Sequence, residues 1–181
     1  MLLYCIIGFL AISLVGSGLH FVYDWLNHNK IISLFVAVNE STWEHLKLAA
    51  IPTFIWGLTG HFLRFHNIEF ATFAAVLTVC VVIPLIFYTY KYFTKKSILF
   101  IDIASFFVAV AIAMTVAYFI LSAGMLPHAL KIIGIVGNVL MIIMFFVFTY
   151  FPPKIFLFQD PITKKYGLEG HADDEKYAGK K

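Results

Sequence analysis

The residues best equipped for chemistry lie in two short stretches near the N-terminus. His20 and Asp24 stand four apart near the end of the first long apolar run, a spacing that puts both on one face of a helix. A polar stretch later comes Asn39-Glu40-Ser41-Thr42-Trp43-Glu44-His45-Leu46-Lys47, which opens the next apolar run. His20, Asp24, Glu40, Glu44 and His45 together offer two imidazoles and three carboxylates. That mixture suits Zn, Fe or Mn better than the oxygen-seeking Ca or Mg. The expected ligands are His20, Asp24, Glu44 and His45, with Glu40 as general base or a further ligand. A metal held there would lower the pKa of a bound water and drive hydrolysis. Asp102 enters near the same end, with Ser105 one turn deeper. Asp24, Glu40, Glu44 and Asp102 against Lys47 give a formal −3, a cation-seeking pocket.

The same residues have other uses. Ser41-x-x-Glu44 reads as a capping box for a helix start, where an acid also suits the dipole. Trp43 and Lys47 read as interface anchors. Intramembrane acids and histidines also serve as proton relays or counter-charges in transport. A cap explains Glu44, but it does not explain Glu40, His45, His20 and Asp24 gathering at one depth. Two cysteines, Cys5 and Cys80, sit in apolar runs and read as small hydrophobic residues. His61, His66 and His128 read as loop histidines at a hydrated interface.

The elements that must position these groups follow from composition. Of 181 residues 61% are hydrophobic and 13% charged, against about 45–50% and about 25% in soluble domains. Mean hydropathy is +0.90. The chain is expected to be an all-α integral membrane protein. A net charge of +3 excludes a nucleic-acid binder driven by bulk positive charge. A helix crossing the bilayer needs about 20 apolar residues, and five stretches qualify: 3–25, 44–63, 69–90, 98–121 and 129–150. Ile31 to Val38 is too short to cross and reads as a re-entrant or interfacial segment. Ser13-x-x-x-Ser17, Ala113-x-x-x-Ala117, Gly134 and Gly137 allow close helix approach.

The bundle is taken as residues 1–151 and a cytoplasmic tail as 152–181. Residues 152–168 are expected to dock on the bundle, and 169–181 to form a solvated, disordered end. Asp160-Pro161 favours a turn, and Phe158 and Tyr166 are expected to fasten the segment. Asp160 would then approach the cluster as part of a lid or a sixth ligand. With five spans, Lys30, Lys47, Lys91, Lys95 and Lys96 fall on one side, and Arg64 and Lys131 on the other. The N-terminus is therefore expected outside and the tail in the cytoplasm of a cell (inner) membrane.

The Asn39 to Lys47 segment, with His20 and the Asp160-Pro161…Tyr166-Gly167 tail, resembles a group of small prokaryotic multi-pass membrane proteins of unknown function. Their signature is N-E-S-x-W-E-H-L-K. The resemblance implies a membrane location and a shared site including Asn39, but no activity. The chain does not resemble membrane ceramidase-like hydrolases in the same way, because it lacks their His-x-x-x-His pair. The leading expectation is a metal-dependent, hydrolase-like enzyme acting on a lipid or amphiphile at the cytoplasmic face. The alternatives are a proton-coupled transporter or its substrate-binding subunit, and a non-catalytic assembly subunit. A homo-oligomer or a larger membrane complex fits any of the three.

Overall fold

The computed structural model describes residues 1–171. These form five α-helices: α1 (Leu2–Trp25), α2 (Thr42–Phe62), α3 (Ile68–Thr94), α4 (Leu99–Ser122) and α5 (His128–Tyr150). Short 3-10 turns follow at Ile32–Leu34, Phe156–Phe158 and Gly167–Gly170. The expected five-helix, all-α architecture is present, and α3 runs four residues past its expected end. Of the end expected to be solvated, Glu169 and Gly170 lie in the last turn, and residues 172–181 lie outside the described residues.

Helices are the form a chain takes where no water can satisfy its backbone. Stray hydroxyls are absorbed the same way: Thr53, Thr72, Thr78 and Thr115 each donate to the carbonyl four residues back. Four helices, α1, α3, α4 and α5, are long and apolar enough to cross a membrane. Their outward faces carry exposed Leu10, Leu14, Leu85, Phe100, Leu140 and Ile143, surface that belongs against lipid. The chain is a multi-pass membrane protein. The second expected span is a different kind of helix. In α2 every residue from 46 to 54 is buried, so its polar side chains meet protein rather than lipid.

The chain divides into two compact units. The first comprises Met1–Ser17 and Ala49–Met141, the second Gly18–Leu48 and Ile142–Lys181. In the first, α3 buries Ile68, Ala71, Thr72, Ala75, Val76, Val79 and Ile83. In α4 the buried stripe is mostly small, with Ser105, Ala109, Ala113 and Ala117 among its members, and the two helices pack together. Tyr4 lies by Gly60 and Gly8 by Trp56, so α1 and α2 are antiparallel. Asn67, at φ 63°, ties the start of α3 to the end of α4. Its amide donates to the Ile120 and Gly124 carbonyls and accepts from the Leu126 N–H.

Gly134 of α5 lies against the α3 backbone: a Cβ there would stand 2.5 Å from Phe70 N and from the Glu69 carbonyl carbon. Gly134→Ala therefore forces two backbones apart and should cost about 1–3 kcal/mol. Gly18 has nothing within 4 Å, so Gly18→Ala should be neutral or stabilise by up to about 1 kcal/mol. Thermal unfolding in detergent would compare them. Equal melting temperatures would contradict the close approach.

Candidate functional site

The chemistry-bearing residues sit in the second unit, around the chain between α1 and α2. Ile31 to Val38 is not a helix that spans anything. After the Ile32–Leu34 turn it runs buried through Val36, Ala37 and Val38. Irregular backbone at that depth needs dedicated partners. At the exposed start of the segment the Ile31 and Ile32 N–H groups donate to Asn29 Oδ1, and in its buried part the Val38 N–H donates to Glu44 Oε2 at 3.1 Å. Lys47 Nζ donates to the Ser33 carbonyl at 2.8 Å.

Glu44 and Lys47 are the centre of this arrangement. Lys47 is 0% exposed and Glu44 2%, with Nζ 2.6 Å from Oε2. Nζ also donates to Thr149 Oγ1 at 2.9 Å, so all three ammonium protons have acceptors. The capping box is half as expected: the Glu44 N–H donates to Ser41 Oγ at 3.3 Å. The Ser41 N–H is instead taken by Asn39 Oδ1 at 2.8 Å, which frees the Glu44 carboxylate for Val38 and Lys47. Lys47 and Trp43 are buried, not interface anchors. Trp43 lies among Phe145, Phe148 and Phe158, with ring centroids 4.7–5.5 Å away.

The segment after α5 closes over this loop. Asp160 is buried, and its carboxylate accepts three N–H groups: Glu40 at 2.8 Å and Ile162 and Thr163 at 2.7 Å. Asn39 Nδ2 donates to the Gly167 carbonyl at 2.8 Å. Gly167 has φ +54°, and a Cβ there would meet the Thr149 carbonyl oxygen at 2.8 Å, so glycine is required twice over. Tyr166 makes one antiparallel bridge with Gln159. Asp160 thus approaches Glu40, but through its backbone.

What this leaves free is the Glu40 side chain, 45% exposed, facing two imidazoles. Oε1 is 3.9 Å from His20 Nε2, and Oε2 is 3.5 Å from His45 Nε2. His20 and His45 are about one-third exposed, and their rings lie 5.3 Å apart. His45 Nδ1 is 3.0 Å from the Ser41 carbonyl. A proton on Nδ1 makes that bond and turns the Nε2 lone pair toward Glu40. The three ligand atoms fall within 4.8 Å of one another. Two imidazoles and one carboxylate form the protein half of many catalytic metal sites.

The remaining expected site residues are placed elsewhere. Glu44 faces Lys47. Asp24 lies beside His28 and His171, with Oδ1 3.3 and 3.4 Å from their Nε2 atoms. Asp102 belongs to the first unit, where Tyr90 and Ser97 donate to its carboxylate. There Glu69 pairs with His61 and Lys131, and Cys5 and Cys80 are free thiols. His28 carries the same four-residue spacing from Asp24 that marked His20. His171 is 147 residues beyond Asp24, and nothing local marks it.

A model of a family of unknown function, DUF6512, matches residues 2–168. The chain belongs to this family. No curated protein and no solved structure matches the chain. Within the DUF6512 match fall His20, Glu40, His45 and the Glu44–Lys47 pair. His171 stands three residues beyond it.

Removing one partner from a buried ion pair strands the other charge and costs about 3–5 kcal/mol. Lys47→Met should lower stability by that order. Adding Glu44→Gln should recover part of the loss, because an amide still accepts from the Val38 N–H without a charge. Chemical or thermal denaturation of the two variants checks this, and a double variant less stable than Lys47→Met would contradict it.

Proposed function

We propose that this DUF6512 protein is a membrane-embedded, metal-dependent enzyme of hydrolase type. Its divalent ion (Zn, Fe or Mn) is held by His20, Glu40 and His45. The observation that carries the reading is the half-exposed Glu40 carboxylate between two imidazole Nε2 atoms, set in a loop that Glu44, Lys47, Asn39 and Asp160 hold by hydrogen bonds. Three protein ligands leave a coordination position for water, whose pKa the ion lowers. Glu40 binding through one oxygen keeps its second to accept that water's proton. Asp24 and Glu44 leave the ligand set, each engaged by other partners.

A lipid or amphiphile is the favoured substrate. His20 belongs to a helix apolar enough to cross a membrane, and beside it Phe21 and Trp25 are exposed and stacked, with ring centroids 5.9 Å apart. Aromatics of this kind favour the headgroup level. If α2 crosses together with the four apolar helices, the lysine bias favours a site at the cytoplasmic face of the inner membrane, with the N-terminus outside. Lys47, being buried, drops from that count and leaves four basic residues against two.

The test is metal content by mass spectrometry on detergent-purified protein beside a His20→Ala/His45→Ala variant. The enzyme reading expects Zn, Fe or Mn in the wild type and loss of about one equivalent in the folded variant. Identical metal content in both, before and after reloading, would contradict it. The same carboxylate between two imidazoles would then serve as a proton relay in transport.

A further inference from the structure

The i, i+4 pair His20 and Asp24 belongs to two neighbouring groups rather than one. A turn beyond the proposed catalytic centre, Asp24 Oδ1 faces His28 Nε2 at 3.3 Å and His171 Nε2 at 3.4 Å. The two imidazole rings are 4.1 Å apart, centroid to centroid, and all three ligand atoms lie within 4.8 Å of one another. We propose that Asp24, His28 and His171 form a second divalent-metal site, a clasp that fastens the C-terminal segment to the end of α1.

The distances fit a metal site, although His28 also reaches Asp24 within hydrogen-bond range. A charge-assisted N–H···O bond closes to about 2.7–2.9 Å, and both contacts are longer. Ligand atoms on a tetrahedron with bonds of about 2.0–2.1 Å stand about 3.3–3.4 Å apart, which matches both Asp24 edges. Two imidazoles that converge on one carboxylate oxygen with their ring centroids 4.1 Å apart would repel if both were protonated. A cation between them removes the conflict.

The surroundings orient the ligands. His171 Nδ1 is 3.1 Å from the Val38 carbonyl, a partner for an Nδ1 proton, and in the neutral ring this leaves the Nε2 lone pair toward Asp24. The ring of Tyr23, a buried residue, lies 5.1 Å from both imidazoles and walls one side. The nitrogen-rich donor set suits Zn more than Ca or Mg. The site joins α1, the turn that follows it, and a residue 143 positions beyond His28. Between Pro152 and His171 lies Asp160, which holds the Glu40 N–H. Metal at the clasp therefore stabilises the segment that shapes the Glu40 loop. The inference does not need the enzyme reading.

The test uses the full chain in detergent, stripped of metal and titrated with Zn²⁺ alone. Hydrogen exchange of residues 160–171 and bound metal are measured together. Ion at ten times its Kd should slow exchange through local opening by about tenfold. That protection, and one equivalent of Zn, should vanish in His171→Ala and in His28→Asn, a residue that tolerates the left-handed backbone at φ 58°. Both should persist in His20→Ala/His45→Ala, which separates this site from the proposed catalytic one. Unchanged stoichiometry and protection in both clasp variants would overturn the proposal.

Discussion

An ammonium and a carboxylate removed together from solvent hold this site in shape. Lys47 and Glu44 sit 2.6 Å apart, effectively unexposed, and each finishes its valences on a different piece of chain. Lys47 takes the Ser33 carbonyl and Thr149, and Glu44 takes the Val38 N–H. One pair therefore ties the start of α2, the irregular buried segment and the end of α5. Such a pair is rarely a net source of stability, since desolvation consumes most of the attraction. Its consequence is geometric: a buried ammonium accepts few substitutes, and so the backbone carbonyl of Ser33 has one place to be.

From that clamp the loop follows in order. Val38 is held by Glu44, Asn39 caps its own turn and reaches Gly167, and the Glu40 N–H is held by Asp160. The Glu40 backbone is thus held in place while its carboxylate faces His20 and His45. A preorganised loop with one exposed acid between two imidazoles is what a metal or proton site requires. Membership of DUF6512 leaves the chemistry open, so the reading rests on this geometry.

The helices were legible because their signal is dense. Twenty apolar residues in a row admit little else, and the expected limits of α1, α4 and α5 lie within a residue of those observed. The polar end was legible in part. Asn39 to His45 was marked by charge and by the capping pattern, and His20 by its depth. Partner choice was not. Glu44 reads as a ligand and Glu40 as general base or a further ligand, because the ammonium that engages Glu44 itself reads as an interface anchor. Helical spacing put His20 and Asp24 on one face, but a face is wider than a site, and the chain at Glu40 meets one residue while His171 meets the other. Contacts between residues more than a hundred positions apart, such as Lys47 with Thr149 or Asp24 with His171, leave no local pattern to read.

The central claim is that the clamp commits Glu44 to Lys47 and leaves Glu40 to the histidines. An anomalous difference map at the zinc edge, from crystals of the zinc-loaded full-length protein, tests it directly. The account predicts a peak within about 2.0–2.2 Å of Nε2 of His20 and His45 and of a Glu40 oxygen, with Glu44 still on Lys47. A peak ligated by Glu44 with Lys47 displaced, or a Glu40 carboxylate turned away from both histidines, would contradict it.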